Sequence, residues 1–153
     1  MAKESAPEPV CSIQRSLGVL GERWTFLILR EAFFGVTRFS DFRDRLGVAP
    51  DVLTDRLNTL TEAGVLTREP YQEPGRRARY AYRLTPAGRE LQVVLGSLQQ
   101  WGDEHLPPPG GPTVARRARG TGGPLHIGFV DEQGREVALD DVEFVPTANY
   151  PAQ

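Results

Sequence analysis

The chain has 153 residues, with 18 Lys+Arg against 20 Asp+Glu and a formal net charge of −2. That length suits one domain, or one domain with a small appendage, and 39% apolar with 25% charged residues is enough to bury a core. A single cysteine excludes an intramolecular disulfide framework and a multi-cysteine zinc site, and two histidines leave little for metal or acid–base chemistry. No apolar run reaches the ~18 residues of a membrane span, and the first nine residues lack a signal-peptide core. A cytoplasmic protein with no metal, no cofactor and no membrane contact is therefore expected.

Residues 1–10 are polar and contain proline, and are expected as a mobile arm. Ile13, Leu17 and Leu20 fall at helical spacing before Gly21. Trp24 to Phe34 is dense in apolar residues and reads as a buried helix with Gly35 as its stop. Ser40 is predicted to cap a helix running to about Leu46, with Phe39, Phe42 and Leu46 inward and Gly47 as its stop. Pro50 suits the first position of the next helix, in which Leu53, Leu57, Leu60 and Ala63 share a face before Gly64.

The period then changes. Val65 to Tyr71 reads as a strand and Glu73-Pro74-Gly75-Arg76 as a turn. Arg79 to Leu84 alternates, with Tyr80, Tyr82 and Leu84 on one face, so the two strands make a hairpin. Thr85-Pro86 is a cap followed by a first-turn proline. Leu91, Val94, Leu95, Leu98 and Trp101 then mark an amphipathic helix ending near Leu106. Residues 107–123, rich in Pro, Gly and Arg, read as a linker. Residues 124–146 read as a small β appendage: Leu125–Val130 and Glu136–Leu139 flank the turn Asp131–Gly134, and Val142–Val145 is a candidate third strand. It is too short for its own core and must pack on the rest or on a partner. Residues 147–153 are expected as a tail.

This order predicts the α+β class over residues 11–106: a winged helix-turn-helix with an extra helix at each end. In that arrangement the second helix of the central pair enters the major groove of duplex DNA, and the hairpin lies on the backbone or in the minor groove. The groove helix is residues 50–63. With its leucines inward, Thr54 and Arg56 are the candidates for base contacts, because a hydroxyl and a guanidinium match groove donors and acceptors. Asp51 and Asp55 are unexpected there; a carboxylate repels phosphate unless it accepts from cytosine or orients Arg56. Arg76, Arg77 and Arg79 at the hairpin tip are candidate phosphate or minor-groove contacts. Ser40, beside Arg38, offers a hydroxyl and helix-start N–H groups to a phosphate, and Arg23 is a further phosphate candidate. For each of these the alternative is a solvated surface residue, and for Ser40 a simple cap. Residues 68–89 carry six arginines against Glu69 and Glu73, and every basic residue except Lys3 is arginine. That bias suits bidentate contact with phosphate or guanine; a GC-rich genome would also produce it.

Several blocks occur together here: Cys11-Ser12-Ile13, Leu20 to Arg30, Arg38-Phe39-Ser40-Asp41-Phe42-Arg43, Leu53-Thr54-Asp55-Arg56-Leu57, Ala63-Gly64-Val65-Leu66, Tyr82 to Gly88 and Trp101-Gly102. In this order, over about residues 10–106, they resemble the HxlR-type winged-helix regulators. The resemblance implies a homodimeric bacterial transcription regulator, a repressor in our reading, on a near-palindromic operator. It also implies dimerisation through the first and last helices, hence through Ile13, Leu17, Leu20, Leu91, Val94, Leu95, Leu98 and Trp101. Asp51 departs from the basic or amide residue often found there, and residues 107–153 lie outside the family pattern.

Two inputs remain open. Cys11 precedes a helix start with Arg15 one turn on, a setting that favours a reactive thiol; with no second cysteine, oxidation requires the other subunit or a small thiol. The rival is a small-molecule effector in a pocket between subunits, lined by Trp24, Phe33, Phe34 or Trp101. The alternative function is a protein-interaction winged helix that never touches DNA, suggested by the balanced charge of residues 1–106. An enzyme is not expected: Cys11 has no histidine within the winged-helix core to serve as base, since His105 and His126 flank the linker, and there is no Gly-rich phosphate loop with lysine and no acidic metal cluster.

Overall fold

The structure is a computed structural model, and residues 10–150 are described. The expected arm over 1–10, apart from Val10, and the last three residues of the expected tail lie outside the described residues. Five helices and a hairpin follow in order: α1 (Ser12–Leu20), α2 (Arg23–Phe33), α3 (Phe39–Leu46), α4 (Pro50–Glu62), β1 (Leu66–Tyr71), β2 (Arg79–Leu84) and α5 (Pro86–His105). This is an α+β winged helix. Two short strands, β3 (Phe129–Val130) and β4 (Glu136–Val137), come after it. The chain forms two compact units, residues 10–89 with 146–150, and Glu90–Val145.

In the first unit the apolar periodicity becomes burial. Ile28 and Leu29 of α2, Phe42 of α3 and Leu53, Leu57 and Leu60 of α4 are fully buried, and Leu66 of β1 joins them. Between α3 and α4 the chain turns in three residues, and Gly47 makes this feasible with a φ of 61°, a left-handed conformation that side chains disfavour. Pro50 occupies the first turn of α4. The expectation that Ser40 caps α3 is corrected: the helix starts at Phe39 and the cap position is Arg38. Arg38 is held in extended conformation by an antiparallel bridge to Ala81, and Tyr82 N donates to Thr37 O at 2.7 Å. That pairing ends at Arg38 and lets the helix begin two residues earlier than a cap at Ser40 would. Ser40 therefore lies inside the first turn, its hydroxyl 3.3 Å from Asp41 Oδ1.

β1 and β2 pair antiparallel from Leu66↔Leu84 to Tyr71↔Arg79. The register puts Tyr80, Tyr82 and Leu84 on one face. Tyr82 is buried there, whereas Tyr80 is 47% exposed, its ring covered by the Arg68 guanidinium at 4.4 Å. Thr85 Oγ1 accepts from Gly88 N at 3.0 Å and so caps α5.

In the second unit, α5 presents Gly96, Gln99, Gln100 and Asp103 to the segment that follows it. The Gln100 amide donates to Ile127 O at 2.8 Å and accepts from Ile127 N at 2.9 Å. Gln99 donates to Val114 O, and Arg116 reaches Asp103 at 3.3 Å. A Cβ on Gly96 would overlap the Ile127 side chain. The expected third strand over Val142–Val145 does not form. Leu139–Asp141 is a 3₁₀ turn that takes Val142 N at 3.2 Å, and Phe144 instead meets Phe129 edge-on, 6.2 Å between centroids.

Candidate nucleic-acid interface

α4 divides cleanly. Its three leucines point into the core, while Asp51, Thr54, Asp55 and Asn58 are exposed. Thr54 Oγ1 donates to Pro50 O at 2.8 Å, so what it offers outward is a methyl and acceptor lone pairs. Arg56 is half-buried. Its guanidinium lies in an ion pair with Asp55 and 4.0 Å from Glu22 at the start of α2. Asp55 thus orients Arg56, and Glu22 draws it back toward α2.

The hairpin forms the second part. Arg76 N donates to Glu73 O at 3.0 Å and closes the tip; Gln72 Nε2 donates to Arg76 O at 3.0 Å. Arg76, Arg77 and Arg79 are exposed. Among the described residues none of the three has a carboxylate within ion-pair distance. Arg38 is differently placed. It donates to Glu73 Oε1 at 2.7 Å and stacks over Tyr71 at 4.8 Å, tying the start of α3 to the hairpin. Arg83 pairs with Glu69 at 3.0 Å. Arg23 stacks over Trp24 at 4.7 Å.

Behind the helix pair, Glu31 is buried and accepts from Arg30 at 2.8 Å and Arg45 at 3.5 Å. It joins α2 to the last turn of α3. Sequence reasoning missed Glu22, Glu31 and Glu73 as partners of these arginines. No local pattern marks them, since Arg38 and Glu73 are 35 positions apart. The Tyr82 hydroxyl is pushed above its ordinary pKa chiefly by burial, offset in part by Arg68.

The other candidates scatter. Cys11 is the residue before α1, half-buried, with its carbonyl accepting from Arg15 N at 3.0 Å. Ile13 and Leu17 are exposed, but Leu20 is buried within its own chain. Val94, Leu98 and Trp101 are exposed on α5, while Leu91 and Leu95 are half-buried. Trp24 and Phe33 sit nine residues apart on α2, about 13 Å along the axis and on nearly opposite faces. Phe34, just past the helix, is exposed.

Residues 19–109 match the HxlR-like helix-turn-helix family. The chain belongs to this family. It is 49% identical over 106 residues to an HTH-type transcriptional regulator of Mycobacterium tuberculosis, a match covering 69% of this chain and 66% of that protein. The chain thus spans just under two thirds of that relative's length. Among solved structures, PA1607, described as a candidate transcription factor, superposes with a TM-score of 0.77 at 33% identity, over 92% of this chain and 97% of that one. That match takes in most of the segment beyond residue 109. The redox regulator HypR in its reduced form superposes with a TM-score of 0.57 at 26% identity, over 63% of this chain and 94% of its own. The HxlR-like winged helix is a DNA-binding fold of transcription regulators. No helix among the described residues is long and apolar enough to cross a membrane.

Proposed function

We propose that this HxlR-like protein is a homodimeric repressor that reads a near-palindromic operator, with α4 in the major groove and the hairpin on the backbone or minor groove. The observation that carries the reading is the pairing of an outward polar face on α4, centred on Thr54, with a hairpin tip whose Arg76, Arg77 and Arg79 carry no counter-ion among the described residues. Thr54 offers its methyl to thymine or its lone pairs to an exocyclic amine. Arg56 reaches a base or phosphate by leaving Glu22. Ser40 and the first-turn N–H groups of α3 take a phosphate, with Arg38 beside them. Ile13 and Leu17 of α1 and Val94, Leu98 and Trp101 of α5 supply apolar surface for the second copy.

The input in this reading is thiol chemistry at Cys11, which the kinship with HypR favours over a pocket at Trp24, Phe33 and Phe34. Gel shift on the DNA upstream of the protein's own gene tests the whole proposal, with reduced and diamide-treated protein beside Cys11→Ser. Binding by the reduced protein supports the DNA reading, and loss of binding on oxidation only when Cys11 is present supports the thiol input. The neutralisation of Arg56 by Asp55 and Glu22 favours one rival, a protein-interaction winged helix. That rival predicts no shift of any duplex in either redox state.

A further inference from the structure

The tetrapeptide Arg76-Arg77-Ala78-Arg79 at the hairpin tip recurs without change as Arg116-Arg117-Ala118-Arg119. The second copy is also held in a defined loop. Arg117 bridges Pro124, Ala118 N donates to Gly123 O at 2.8 Å, Gly122 N to Ala118 O at 2.7 Å, and Leu125 N to Arg116 O at 2.9 Å. Arg117 Nη1 donates to Gly122 O at 3.2 Å. The first arginine of the set anchors the loop on α5 through Asp103 at 3.3 Å. The other two, Arg117 and Arg119, are exposed. Between Glu104 and Asp131 the chain has no carboxylate at all, although the segment beyond is acidic. A preorganised, glycine-rich loop with two exposed arginines, one of them partly held by Gly122 O, and no acidic neighbour in sequence suits the phosphate oxygens of a nucleic acid backbone.

We propose that the loop Arg117–Pro124 is a second phosphate-binding surface for duplex DNA, in addition to the hairpin tip. This rests on the DNA-binding reading above. Its contribution is electrostatic and independent of sequence, because it is made to the backbone.

The test is a salt titration of binding by the full chain to a random-sequence duplex, comparing the native protein, Arg117→Ala/Arg119→Ala, Arg117→Lys/Arg119→Lys and, as a control, Arg76→Ala/Arg77→Ala. Every phosphate that is no longer neutralised lowers the slope of log K against log salt by about 0.9. The alanine loop variant is expected to flatten it by roughly 1.8, so that raising salt fourfold costs it about tenfold less affinity than it costs the native protein. The lysine variant is expected to keep the native slope, since charge is retained. A native slope in the alanine loop variant, beside a flattened slope in the hairpin variant, overturns the loop's role and leaves the DNA reading standing; it would direct the loop to an acidic protein surface instead. A flattened slope that lysine does not restore also overturns it, because loop folding rather than charge would then be the cause. Failure of the native protein to bind any duplex overturns the DNA reading itself.

Discussion

Phe42 has no exposed surface and sits on α3, the short helix that precedes α4. Phe42→Ala is expected to cost about 3–5 kcal/mol, from the burial forgone and the cavity left behind. Urea unfolding checks this, with a lower midpoint at unchanged m. Phe42 was legible because its spacing from Phe39 and Leu46 is local. Thr54 was legible for the same reason, as the polar residue beside Leu53 on a helix whose leucines must face inward. If Thr54 places its methyl on a thymine, Thr54→Ser weakens preference for that base pair by about 1 kcal/mol, read by competition between operators differing at one position. Arg56 shows where such reasoning stops. Its spacing put it beside the leucine stripe, but its guanidinium is claimed by Glu22, which tertiary packing brings alongside.

Among the elements, the hairpin and α5 each carry a testable consequence. The fold favours the neutral Tyr82 phenol, whose pKa is raised by burial. Stability from this group is therefore present below the ordinary tyrosine value of about 10 and is lost as pH rises through the folded value. Hydrogen exchange in β2 is expected to quicken in alkali, and Tyr82→Phe to blunt that change. On α5, Gln100→Ala strips Ile127 of partners for both its N–H and its C=O. The expected local cost is about 2 kcal/mol, read as a roughly thirtyfold drop in exchange protection in the Gly123–Val130 segment. The apolar stripe of α5 was legible from its period. Its Gly96, Gln99, Gln100 and Asp103 side was not, because polar residues on a helix ordinarily face water.

For the molecule as a whole, the question is what covers the apolar side chains that the folded chain leaves in water. Leu98 and Trp101 on α5 are 53% and 57% exposed, and Ile13 on α1 is 71% exposed. If a second copy covers them, Leu98→Glu/Trp101→Glu shifts the protein to monomer in sedimentation velocity with its helix content intact. Operator affinity then falls at least tenfold, since each monomer engages one half-site. An unchanged sedimentation coefficient would remove α5 from the interface.

The elements and their order followed from the amino-acid sequence, because helix, turn and strand signals depend on near neighbours. Leucines recur at helical spacing in α4, proline opens it at position 50, Thr85-Pro86 starts α5, and the alternation at Arg79–Leu84 makes a strand. With the family blocks, that order was enough to name a winged helix. Which apolar residues serve the core and which remain outside it was settled only in the folded molecule: Leu20 went in, Ile13 and Leu17 stayed out. Folding also assigned the partners of the arginines, with Arg38 engaged by Glu73 and Arg56 by Asp55 and Glu22, while Arg76 and Arg77 have no carboxylate partner among the described residues. And it left the expected third strand over Val142–Val145 unformed, with a 3₁₀ turn before it at Leu139–Asp141 and Phe144 against Phe129. The physical reason is common to all three. Burial and ion pairing are set by residues distant in the chain, and periodicity carries no information about which distant residue arrives.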